Sequence, residues 1–249
     1  MKERFFHVHF GLPMRTTGLV AGMLLTLLAP LPSIAQSEAE EMFTPRYLAL
    51  LPWYCRYAAS YRERMPGGND PVQTERWKSI VGDIHNHMHH YCSGLSWRDR
   101  ATLFARTEAE RMKSLQASVG EFTYVIDRSR PDNPLLPEFF TMRGKSLIAL
   151  NRPSLAIADL VRAIEIKPDY WPPYVELGDY YKNSGDFTKA REWFKQGLSA
   201  VPDSKTLKTR LAKLEEAKGE EKAAAAATEK PPVKKASEAT RSSKGPQKQ

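Results

Sequence analysis

Cysteine is scarce in this chain of 249 residues: there are two, Cys55 and Cys92. Neither stands in a Cys-x-x-Cys-His motif, so covalent haem attachment is not indicated. His-Glu-x-x-His is missing as well, which leaves a zinc-protease reading without its general base. The main apolar run, residues 18–31, stops short of the ~20 residues that a spanning helix needs. Strong charge of one sign is also lacking where it would matter. The whole chain carries +8, but residues 1–35 hold +2 and residues 229–249 hold +4, leaving +2 for residues 36–228. A nearly neutral domain is a poor electrostatic footprint for nucleic acid, so no nucleic-acid partner is expected.

What is present is a period of 34 residues in the second half. Pro134, Pro168 and Pro202 are spaced by it, as are Gly144 and Gly178, Ala156 and Ala190, and Phe140 and Tyr174. Self-similarity at this period marks stacked helix-turn-helix units. Each slot has a physical reason. Gly178 and Ala190 are small enough to let two helices approach, and Tyr174, Leu177, Tyr181 and Phe194 supply apolar faces that neither helix can bury alone. Pro202 stops the second helix, since proline lacks the N–H and clashes with the preceding turn. Gly185 can take positive φ in the turn Asn183-Ser184-Gly185-Asp186, and Asp186 can cap the second helix of the unit.

The run Tyr174-x-x-Leu177-Gly178-x-x-Tyr181, followed by Ala190, Phe194 and Pro202, resembles the tetratricopeptide repeat. The preceding copy has Phe140, Gly144, Leu147, Ala156, Leu160, Ala163 and Pro168 in their slots, but Arg143 where the family has Leu. The resemblance covers about residues 101–201, in two good copies and one degenerate helix pair. It implies an all-α helix-turn-helix solenoid of tetratricopeptide type, with residues 36–100 as an N-terminal helical capping segment. Residues 101–218 hold the repeats and a final capping helix, on which Ser204 is a candidate cap and Leu207, Leu211 and Leu214 form one stripe.

By the same resemblance, the first helices of the units line a concave groove for a protein or peptide partner. Glu138, Thr141, Lys145, Ile148 and Ala149 would come from one copy, and Pro172, Val175, Asp179, Lys182 and Asn183 from the next. The set is mixed in sign. It lacks the repeated Lys and Asn arrangement with which some members clamp a terminal carboxylate, so that specificity is not expected. The implied protein is a non-enzymatic interaction scaffold without a cofactor.

At the N-terminus, Arg15 precedes the apolar run and Ser33-Ile34-Ala35 offers the small residues of a cleavage site, so residues 1–35 read as an export signal. Met14 is an alternative start, and an uncleaved membrane anchor is the alternative role. The expected location is periplasmic or secreted. Residues 219–249 contain almost no bulky apolar side chain and are expected to be a disordered basic tail, able to touch anionic envelope components.

Residues 44–95 do not follow the period, yet read as helical. Thr44-Pro45 and Asp70-Pro71 are cap-then-proline starts. The expected helices are 53–64, 72–93, closed by Gly94, and 97–116. Within the second lies His85-Asn86-His87-Met88-His89-His90-Tyr91-Cys92, with four of the six histidines. At 100° per residue His85, His89 and Cys92 share one side, a spacing that could bind a divalent metal. The competing reading is a Cys55–Cys92 disulfide, the simplest fate of two cysteines in an oxidising compartment. The sequence His89-His90-Tyr91-Cys92-x-Gly94-Leu95 also resembles the opening of exported bacterial tetratricopeptide proteins without a defined role.

Overall fold

The structure is a computed structural model and describes residues 42–228. The expected export signal at 1–35 and the tail beyond 228 lie outside the described residues. The elements in chain order are α1 (Pro45–Leu48), a 3-10 turn (Trp53–Tyr57), α2 (Pro71–Val81) and a second 3-10 stretch (Gly82–His87). Then come α3 (Met88–Asp99), a π-helical turn (Arg100–Phe104), α4 (Glu108–Arg128), α5 (Leu136–Ala149) and α6 (Pro153–Ile166). The chain continues through α7 (Pro172–Asn183), α8 (Phe187–Ala200) and α9 (Lys205–Thr228). No strand occurs among the described residues. The fold is an all-α solenoid of tetratricopeptide type, built of the hairpin pairs α3/α4, α5/α6 and α7/α8, with α9 laid against the last pair.

One packing device recurs in all three pairs. A β-carbon on Gly178 would fall 2.1 Å from the Phe194 ring, and one on Gly144 would fall 3.0 Å from Leu160. The first pair, α3/α4, has its own copy, because a β-carbon on Gly94 would meet Phe122 at 2.6 Å. Each glycine thus admits the large side chain of its partner helix. The turns match too. Asn151 and Gly185, one period apart, both sit at positive φ, 57° and 83°. Asp186 caps α8 by accepting the Lys189 amide at 3.0 Å.

The first unit departs from the sequence expectation because its caps lie elsewhere. Thr107 accepts the Glu110 amide at 3.1 Å while Glu110 accepts the Arg106 amide at 2.8 Å, a reciprocal pair that starts α4. The expected helix 97–116 is therefore broken, and α3 continues through Gly94 instead of ending there. The expected helix 72–93 is broken as well. Gly82 takes φ 66° and stops α2, so that Gly82–His87 forms a 3-10 stretch before α3. Of the expected helix 53–64 only the 3-10 turn Trp53–Tyr57 forms.

Arg143, the residue out of pattern, has a partner that explains it. Its guanidinium grips Asp159 at 2.7 and 2.8 Å, with side chains only 19% and 9% exposed. The pair replaces an apolar α5–α6 contact with a bidentate one. At the other end, α9 runs to Thr228, ten residues past the expected boundary at 218. The reason is the alanine run 223–227, since alanine has the highest intrinsic helix propensity.

The N-terminal segment is not a separate layer. Tyr61, Tyr91, Phe122 and Phe139, all fully buried, belong to one core that runs from residue 48 into α5. A Cys55–Cys92 disulfide staples the first 3-10 turn to α3 across a separation of 37 residues.

Candidate functional site

The candidate site is the face formed by the first helices of the stacked units, chiefly α5, α7 and the neighbouring α9. Polar contacts run across it from helix to helix. Lys145 on α5 pairs with Glu176 on α7 at 2.6 Å, and Asp179 on α7 pairs with Arg210 on α9 at 3.2 Å. Both pairs are partly open to solvent, where such contacts contribute about 0.2–1 kcal/mol each. Their main effect is to fix the polar groups of three helices in register.

Asp179 keeps one acceptor unused. Its Oδ1 is buried and has no hydrogen-bond partner. Burial pushes its carboxyl above the ordinary aspartate value, although the Arg210 guanidinium works against that shift. Tyr170, at the entry to α7, is held protonated well above the usual phenol range by burial, then by the nearby Glu138 and Glu176 carboxylates. The face therefore presents paired charges of both signs, with the Tyr170 phenol beside them and an unsatisfied carboxylate oxygen buried beneath.

Not every residue that the repeat pattern assigns to the groove is open. Thr141 and Val175 are buried, and the Thr141 hydroxyl donates to the Pro137 carbonyl at 2.7 Å, so neither can face a ligand. Ala149 packs beside Leu115 and Leu150, and its carbonyl accepts from Arg111 at 3.2 Å. Glu138 is taken by the chain itself. Tyr54 donates to its carboxylate at 2.5 Å and Tyr91 donates to the same oxygen. Tyr54 is stacked between Trp77, 5.0 Å away, and Tyr91, 6.3 Å away. The N-terminal segment thus covers the beginning of the face. Lys145, Ile148, Pro172, Asp179 and Lys182 remain partly exposed and Asn183 exposed, with Tyr170, Glu176 and Arg210 as members that the repeat slots alone do not name.

The three-residue set His85, His89 and Cys92 is not assembled in this geometry. Cys92 is consumed by the disulfide, so the set His85, His89 and Cys92 loses its thiolate. Among the described residues no group of three His, Cys, Asp or Glu is placed to hold a metal ion. The 3-10 stretch also alters the helical phase on which that set was aligned. His85 and His89 are instead packing residues with buried ring nitrogens, Nε2 and Nδ1, that lack partners. Burial holds both imidazoles below their ordinary value. His90 Nδ1 lies 2.6 Å from Glu121, and its ring rests on Tyr124 at 3.7 Å.

The family comparison agrees with the repeats in this architecture. The tetratricopeptide repeat family model matches residues 137–170 and 172–204, so the α5/α6 and α7/α8 pairs are tetratricopeptide repeats. Over 87 residues the chain is 31% identical to a human protein O-mannosyl-transferase, TMTC1, covering 34% of this chain and 10% of that protein. Over 97 residues it is 31% identical to the Hsp70-Hsp90 organizing protein of Triticum aestivum, covering 39% of this chain and 16% of that one. The chain thus spans less than a fifth of the length of these curated relatives. Among solved structures, the first tetratricopeptide domain of Spaghetti (RPAP3), bound to an HSP90 peptide, aligns at 16% identity and a TM-score of 0.37, covering 51% of this chain and 96% of that one. The Sgt2 tetratricopeptide domain of Aspergillus fumigatus aligns at 18% identity and a TM-score of 0.40, covering 59% and 90%.

Proposed function

We propose that the protein is a non-enzymatic scaffold that holds a peptide or a partner helix on the face of α5, α7 and α9. The observation that carries this is a row of partly exposed ion pairs between helices, Lys145–Glu176 and Asp179–Arg210, on a face with Lys182 half-buried and Asn183 exposed. The preferred partner segment carries polar or charged groups of both signs that meet the Lys145–Glu176 and Asp179–Arg210 pairs. The wheat relative is by name an organiser of two other proteins, which fits a scaffold.

The setting we propose is the bacterial periplasm or envelope, as an accessory to envelope assembly or export. The apolar run at 18–31 ahead of Ser33-Ile34-Ala35 supports it, and so does a disulfide in a chain with no other cysteine. The basic residues of 229–249 would add a loose attraction to anionic envelope components.

The test is site-specific photo-crosslinking in native envelopes. A crosslinker at Lys182 should capture a discrete partner, and Asp179→Ala should weaken capture. One at Arg162, exposed on α6, should capture nothing discrete. Equal capture from both positions, or none from either, would rule out the groove as the binding face.

A further inference from the structure

A second surface, on the N-terminal segment, is built of apolar side chains that stand out of the protein. Val72 is 72% exposed, Trp53 57%, Ile80 50% and Leu50 45%. Three other large apolar side chains are exposed among the described residues, and they are scattered over later elements. Two clefts meet at Trp53. One, of about 500 Å3, has Leu51, Met65 and Pro66 in its walls with Arg56 and Arg64. The other, of about 270 Å3, lies between Trp77 and Ile80 with Arg76 beside it. An apolar patch of this kind on a folded surface marks an interaction site.

The charge around the patch is predominantly positive. Residues 42–81 hold six Lys or Arg against three Asp or Glu. Two of the three acids are occupied, Asp70 in capping α2 and Glu75 in pairing with Lys78. Arg56 donates to the Trp53 carbonyl, and Arg64 donates to the Ser60 carbonyl while lying over the Phe43 ring. No carboxylate pairs with Arg56, Arg64 or Arg76 among the described residues. Protruding tryptophan and aliphatic side chains inside a collar of guanidiniums match the boundary between phosphate headgroups and acyl chains. A folded protein partner would instead need a concavity shaped to each protruding side chain.

We infer that this patch docks on an anionic lipid bilayer, with Trp53 and Ile80 entering the headgroup boundary and Arg56, Arg64 and Arg76 on the phosphates. It is separate from the groove and does not depend on the groove having a partner. The test uses the full chain and vesicles of phosphatidylglycerol or phosphatidylcholine carrying brominated acyl chains, which quench tryptophan at contact. This readout reports on Trp53 itself, whatever the apolar run 18–31 or the basic tail does at the same membrane. Phosphatidylglycerol should quench a component of emission that the Trp53→Phe protein lacks. Arg56→Gln, Arg64→Gln and Arg76→Gln should each weaken lipid binding at the patch about fivefold, and together on the order of a hundredfold. All these positions are at the surface, and an unchanged thermal melt confirms that the variants fold. Equal quenching in Trp53→Phe, in the triple arginine variant or on phosphatidylcholine would overturn the inference. So would the absence of quenching with capture of an acidic protein from Ile80, which would assign the patch to protein.

Discussion

Replacing Gly178 by alanine adds one methyl group at the closest glycine approach between helices among the described residues. The new carbon would sit 2.1 Å from Cε1 of Phe194 and 2.6 Å from Cδ1 and Cζ. Carbon pairs settle at about 3.5–4.0 Å, so the ring must retreat by more than an ångström. Phe194 has little room to do so, being fully buried in the cluster of Tyr174, Ala190 and Leu207. Overpacking of this kind costs about 1–3 kcal/mol, and the better helix propensity of alanine returns up to about 1 kcal/mol. The expected net loss is about 1–2 kcal/mol, or roughly 2–8 °C in Tm for a chain of this size.

Gly120, in the middle of α4, is the internal control. A β-carbon there meets nothing within 4 Å, so Gly120→Ala should stabilise by about 0.5–1 kcal/mol. Urea unfolding should show the two variants shifting the midpoint in opposite directions at unchanged slope. Phe194→Leu should partly rescue Gly178→Ala, because Leu160 already occupies the equivalent place against Gly144. If Gly178→Ala moves the midpoint upward as Gly120→Ala does, the close approach of α7 and α8 is wrong.

Other contacts lead to three more expected outcomes. Reducing the disulfide, or making Cys55→Ser, Cys92→Ser or both, should cost about the same, roughly 4 kcal/mol by loop entropy over its 37-residue separation, read as one common melting temperature. A milder Cys55→Ser, with metal lost from Cys92→Ser, would restore the metal reading. Arg143→Met should cost about 3–5 kcal/mol because it strands Asp159 in the core, and adding Asp159→Leu should recover much of that in a denaturant titration. His85 and His89 have folded-state values below the ordinary 6.5, so the unfolded chain takes up protons first. Their contribution is complete above about pH 6.5 and is lost as pH falls below it. Between pH 6.5 and 5.5 a double His85→Gln, His89→Gln protein should therefore show a flatter stability profile than the parent.

The repeats were legible because their information is periodic and local. Gly178, Ala190 and Pro202 each state one steric fact, and the same fact recurs 34 residues earlier. The first unit was not legible because Gly94 and Phe122 stand 28 residues apart, whereas Gly144 and Leu160, or Gly178 and Phe194, stand 16 apart. The π-helical turn and the irregular residues 105–107 lengthen that hairpin, so its glycine looked like a stop signal. Gly82 was the true stop, but a glycine inside a helical pattern declares itself only through φ, which a string of residues does not carry. The disulfide was legible for a simpler reason: two cysteines permit one pairing.

Glu138 shows why the groove was only half legible. The repeat slot puts it at the open end of a concave face, and in an isolated stack that is where it would stand. Here a residue 84 positions earlier, Tyr54, reaches it, and the disulfide holds Cys55, the next residue, against α3. Tyr91 on α3 donates to the same carboxylate, and burial, with the Glu138 charge second, keeps both phenols protonated far above their ordinary range. A carboxylate with two phenol donors is a strongly satisfied group and leaves little for a ligand. The stack therefore begins on a closed surface, and the partly exposed Asp179–Arg210 pair lies one repeat further along. A pattern that repeats in sequence cannot report this, because the closure comes from the part of the chain that does not repeat.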